Sequence, residues 1–143
     1  MSNITQLSEE VNKYFTSYFD EDLKLYEIIW HEASDRMDDE EYKTLMLHDR
    51  DLIIQKYNQV NYIIINLFNR LHTMTPELQD WSSATISPTF AQLGTLKVAI
   101  IKSKDFSTQF SLEQAMEEDQ VAEGVVQYFN DNDEARKWLL GLA

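Results

Sequence analysis

The chain has 143 residues, 25 acidic and 12 basic side chains, a formal charge of −13 and no cysteine. That length fits one domain, and a composition 43% hydrophobic and 12% aromatic excludes intrinsic disorder. The charge argues against nucleic acid and against bulk attraction to anionic membranes, while the lack of cysteine removes disulfides, thiolate catalysis and cysteine-ligated zinc and fits a reducing cytoplasm.

No basic start followed by an apolar stretch occurs in Met1–Glu10, and no run of about 18 apolar residues occurs anywhere, so neither a signal peptide nor a membrane span is expected. With 3 Gly and 2 Pro there is no flexible linker. Residues 1–143 read as a single α/β domain, with 1–12 an extension, flexible or helical. Lys13–Phe19 and Leu23–Trp30 are β-prone runs separated by Asp20-Glu21-Asp22, the pattern of an antiparallel hairpin. Asp38–Tyr57 then changes period. Tyr42, Leu45, Met46, Leu52, Ile53 and Tyr57 share a helical stripe, after an Asp38-x-x-Glu41 capping box.

Asn61–Phe68 is a nearly continuous apolar run, as expected of a strand covered on both faces. Thr75-Pro76-Glu77 opens the next helix, since Thr caps the orphan amides and Pro is pre-set for the first helical position. Ser87-Pro88 interrupts it, and a short second turn runs to Leu93 before Gly94 closes it. Thr95–Ile101 is a further buried strand. Asp105–Ala122 is mostly helical, with Leu112, Ala115 and Met116 on one face. Val125–Phe129 is a strand, and Asp131–Leu142 a final helix on which Ala135, Trp138, Leu139 and Leu142 share a face. The order ββαβαβαβα predicts a mixed sheet of about five strands with parallel crossovers and four main helices.

Four local segments, Ile28-Ile29-Trp30, Glu77-Leu78-Gln79-Asp80-Trp81, Leu96–Ile101 and Asp133–Leu139, together with the hairpin start, resemble the sulfate-transporter and anti-sigma factor antagonist (STAS) fold, in its Sec14-like branch. The resemblance spans Tyr14 to Leu142. It implies a non-enzymatic module that docks a protein partner, with a phosphorylatable Ser or Thr where the third strand meets the next helix. Asn66–Pro76 lacks that Asp-Ser pair, so no phosphosite carries over; Thr73 is merely near, and Thr75 reads as a cap.

Little catalytic chemistry is legible. His31, His48 and His72 lack helical metal-pair spacing, so no metal or cofactor is expected. Asp131–Glu134 lacks the glycine and glutamate of a calcium loop and reads as a helix cap. Ser82, Ser83 and Ser87 are helix-terminal polar residues without a supporting base. Asp49 falls inside the apolar stripe of its helix. Buried there it would need a partner or carry a raised pKa, a possible acid group alongside His72; the commoner arrangement, adopted as the expectation, sets it at the solvent edge beside Arg50 or Lys56.

Arg70, His72, Lys102 and Lys104 follow the third and fourth strands, at the carboxyl edge where open α/β sheets bind ligands, with Trp81 as an apolar wall. They read either as ordinary polar strand ends or as a mouth for a small anionic or lipid-like ligand. The charge divides unevenly: −8 over Asp20–Glu41, +3 over Tyr42–Lys104 and −9 over Asp105–Ala135. The segment holding the central strands is therefore the basic one. The expected function is a protein-interaction or regulatory module, with a carrier or sensor of such a ligand as the alternative. A homodimer is expected through the open edge of the aromatic hairpin.

Overall fold

The computed structural model describes residues 3–118 and 125–141. Among these, six strands form one sheet in the order β1-β2-β3-β4-β5-β6, namely β1 Ile4–Gln6, β2 Phe15–Asp20, β3 Leu25–Trp30, β4 Tyr62–Asn66, β5 Lys97–Ile101 and β6 Val126–Phe129. β1, β2 and β3 are antiparallel, and β3 to β6 are parallel. The helices are α1 Asp39–Lys56, α2 Pro76–Thr85, α3 Ser87–Gln92, α4 Phe106–Glu118 and α5 Asn132–Leu140, and a 3-10 turn spans Glu32–Arg36.

Each parallel strand lies beside its predecessor, so crossovers of one hand deliver their helices to the same face. Pleating sorts the side chains accordingly. Tyr26, Ile28 and Trp30 of β3, Ile63 of β4 and Ile100 of β5 pack with Tyr42 and Ile53 of α1 and Leu78 of α2. Leu25, Ile64, Ala99 and Ile101 point the other way, onto Ala135 and Leu139 of α5. Glu27 ties α5 to β3, accepting from Arg136 Nη2 at 2.8 Å and Asn132 Nδ2 at 3.2 Å. α4 lies beside α2, joined by Ser111: its hydroxyl accepts from the Met74 amide and its carbonyl from Gln79 Nε2.

The local signals work as their chemistry requires. Asp38 and Glu41 form the reciprocal capping box of α1. Thr75 accepts from the Leu78 amide ahead of Pro76, and Asp131 from the Glu134 amide. In the β2–β3 turn the Asp20 carboxylate accepts from the Asp22 and Leu23 amides. That turn leaves Lys24 at φ 53°, where its carbonyl receives the Asn61 and Tyr62 amides and so docks the start of β4.

One expectation needs correction. Residues 1–12 are not simply an extension: Ile4–Gln6 forms a sixth strand, pairing Ile4 with Asp20 and Gln6 with Tyr18. All three residues are exposed, so no alternation of burial marked them in the sequence. β1 covers the Tyr18–Asp20 part of the β2 edge, the Leu7 amide continues the pairing to the Ser17 carbonyl at 2.9 Å, and β1 is itself the outer strand on this side of the sheet. Ala122 and Leu142, expected in helices, and the side chains of Leu112, Ala115 and Met116, expected on one helix face, lie outside the described residues. No helix among the described residues is long and apolar enough to cross a membrane.

Candidate functional site

Between the sheet and helices α1, α2 and α3 lies a cavity of about 240 Å³. Its floor is the helix-facing side of β3 to β6, with Tyr26, Ile28 and Trp30, then Ile63 and Ile65, then Val98 and Ile100, then Val126 and Tyr128. Its roof is Met46 of α1, Ile86 between α2 and α3, and Phe90 of α3. Regular alternation on four neighbouring strands makes the floor apolar, and the short α3, broken from α2 at Ser87-Pro88, leaves the roof thin.

One charged side chain reaches this cavity among the described residues: Arg70, which follows the carboxyl end of β4 and is 3% exposed. Its guanidinium carbon lies 4.2 Å from the Trp30 ring centroid and 5.3 Å from that of Tyr42. Nε donates to the His72 carbonyl at 3.1 Å, and Nη2 meets His72 Nδ1 at 3.1 Å. No carboxylate of the described residues pairs with it. Burial pulls its pKa down, opposed by the neighbouring Tyr42 hydroxyl, yet an arginine keeps its charge in a protein. A buried cation with no anion is costly, and two aromatic faces and two hydrogen bonds offset part of that cost.

His72 is fixed from both sides. A guanidinium only donates, so Nδ1 must be the accepting nitrogen and the proton sits on Nε2, which faces Asp39 Oδ1 at 3.3 Å. Burial and then the Arg70 charge hold the imidazole pKa below its usual value. Its ring stacks on Tyr42, 5.7 Å between centroids and 10° between planes. Tyr42 also meets Trp81 edge-on at 6.1 Å, and its hydroxyl lies 3.1 Å from Ser82 Oγ.

Of the five residues expected at a strand-end mouth, then, Arg70 lines the cavity, His72 grips Arg70, and Trp81 backs Tyr42 rather than forming the wall. Lys102 is exposed and stands outside it. Lys104 is drawn away to Glu32 at 2.9 Å, over the Phe68 ring. The loop after β5 does touch the site's frame, since the Ser103 hydroxyl donates to the Arg70 carbonyl. Trp30 and Tyr42 were missed as site residues. Trp30 ends β3 beside the carboxyl end of β4, and Tyr42 lies on the buried stripe of α1, so the parallel arrangement could have placed both near Arg70.

Asp49 departs from expectation. It is 1% exposed, because the stripe of α1 is centred on it rather than beside it. Its carboxylate accepts from the Tyr26 hydroxyl at 2.7 Å and lies 3.4 Å from His48 Nδ1. Burial raises its pKa, against lowering by the Ser17 hydroxyl first and then by Tyr26 and His48. Tyr26 thus links the cavity floor to a carboxyl group in the core. Among the described residues, no cluster of three or more His, Asp or Glu could hold a metal ion.

No protein-family model, no curated protein and no solved structure matches this chain. The chemistry of the cavity therefore rests on its own residues.

Proposed function

We propose that the protein is a carrier or sensor that takes a small amphipathic anion into the cavity beneath α3, its apolar part against the sheet and its negative group at Arg70. The observation that carries this reading is the guanidinium buried at the end of an apolar cavity with no carboxylate of the described residues beside it. An incoming anion supplies the missing partner where water cannot screen it, and the apolar walls favour a ligand that is itself apolar beyond its head. Native mass spectrometry of the gently purified full chain tests it: a bound small molecule is expected on the wild type and lost in Arg70→Gln. An empty wild type that no amphipathic anion stabilises against heat overturns it.

A second reading takes the resemblance to STAS proteins at its word and makes the chain a protein-docking module. Phe106 and Phe110 of α4 support it, 85% and 54% exposed with rings stacked 6.5 Å apart, because aromatic side chains so exposed are characteristic of contact surfaces. Loss of a specifically captured protein in Phe106→Ser with Phe110→Ser would favour it, and unchanged capture would count against it. The absence of cysteine supports a cytoplasmic setting for either reading.

A further inference from the structure

We infer that the ligand is a medium-chain monocarboxylic acid, gripped by the outer edge of the Arg70 guanidinium and with its unbranched tail laid along β4 and β5; this rests on the carrier reading above. Three features of the site narrow the class.

The first is the charge available. Arg70 is the one charge among the described residues that lines the cavity. Lys102 stands outside and Lys104 is paired with Glu32, while behind His72 sits the Asp39 carboxylate. One fixed positive charge in an apolar wall balances one negative charge. A phosphate monoester or dicarboxylate would bring a second charge with nothing to meet it, at the cost that attends any uncompensated buried ion.

The second is the shape of the head site. Arg70 spends Nε and one Nη2 hydrogen on His72, and Trp30 and Tyr42 lie against the guanidinium. Beyond these, the Tyr42 hydroxyl is the one further side-chain partner that Arg70 has among the described residues, and the edge formed by Nη1 and the second Nη2 hydrogen is a planar fork matched to the two oxygens of a carboxylate. Neutral His72, fixed by Asp39 with its lone pair toward Arg70, keeps that fork from rotating.

The third is volume. A cavity of ~150 Å³ takes one six-carbon benzene ring, so on the same scale about 240 Å³ takes a chain of roughly eight to ten carbons. That suits a single short chain. A long acyl chain or a two-chain lipid exceeds it.

The test is isothermal titration of the full-length protein with a series of straight-chain carboxylates from butanoate to hexadecanoate, beside octanol and octyl phosphate. Affinity is expected to rise about fourfold per methylene up to about eight or ten carbons, then level off or fall. Octanol, which keeps the tail and lacks the charge, should bind at least about thirtyfold more weakly than octanoate, as should octanoate to Arg70→Gln. The comparison of octanol with octanoate uses the wild type alone, so it stands even where the variant folds poorly. Tighter binding of octyl phosphate, or affinity that climbs through hexadecanoate, overturns the monocarboxylate inference and leaves the carrier reading intact. No heat with any of these ligands, on a protein that native mass spectrometry finds empty, overturns both.

Discussion

The Arg70 guanidinium carbon sits 4.2 Å from the centre of the Trp30 ring, so a charge carried by the loop after β4 is held by the last residue of β3. The contact is a property of guanidinium chemistry, which stacks its plane on a ring while its edge makes fixed hydrogen bonds. Arg70→Lys should therefore behave as a severe change. A lysine keeps the charge but cannot stack flat or bond the His72 carbonyl and Nδ1 together. Denaturant unfolding should show a loss of about 2–3 kcal/mol, with ligand stabilisation gone as well. A variant as stable as wild type would mean that the stacking contributes nothing.

His72 and Asp49 should give pH dependences of opposite sign. The His72 pKa is lowered in the folded protein, by burial first and Arg70 second. The unfolded chain then binds more protons as pH falls below the usual imidazole value of 6.5, and stability present at neutral pH is lost on acidification through that window. His72→Gln should flatten that part of the curve. The Asp49 pKa is raised by burial, so here the folded state binds the extra proton. Stability is lost as pH rises from the usual carboxyl value through the raised one, and the advantage of Asp49→Asn over wild type should be largest at neutral pH and shrink toward pH ~4. Chemical denaturation at a series of pH values, read as differences between wild type and each variant, separates the two.

Filling the cavity should stabilise the protein and silence it together. Val98→Phe on β5 replaces an isopropyl group of the floor with an aromatic ring, and cavity filling of this kind commonly adds about 0.5–2 kcal/mol. Thermal unfolding should show the gain, and titration with octanoate should show no binding. A variant that binds as wild type does would place the ligand elsewhere.

Lys24 offers a gain at the end of β3 opposite Trp30. At φ 53° a side chain with a Cβ crowds its own backbone, and glycine does not. Lys24→Gly should raise stability by about 0.5–1 kcal/mol, measured by denaturant midpoint, with cavity binding unchanged. An equal loss instead would mean that the turn needs the lysine stem.

The parts of the fold legible in the sequence were those decided by chemistry within a few residues. The Asp38–Glu41 box, the Thr75-Pro76 start and the apolar runs of β4 and β5 each carry their own signal. β1 carried none, because three exposed residues hold their place only through the backbone of β2. The same distinction separates the site residues. Arg70 and His72 could be located from their position after a parallel strand, but Lys102 and Lys104 share that position and stand outside the cavity. What divides them is Trp30 and Tyr42, which surround Arg70 from elements that are distant in sequence. Asp49 was misjudged for a related reason: its hydrogen-bond donor, Tyr26, is on β3, and α1 alone gives no hint that a hydroxyl is waiting there.

Because every strand from β2 onward lies against the one made just before it, each addition to the sheet closes only the segment between two consecutive strands, and the entropic cost of closure grows slowly with the length of such segments. The sheet can grow in the order of synthesis. β6 arrives last, and it brings Val126 and Tyr128, which complete the cavity floor. Pulsed hydrogen exchange during refolding is then expected to protect β3 and β4 amides before those of β6, so that a ligand meets a finished cavity only in the final step of assembly and acts as a late brake on unfolding rather than a template for folding.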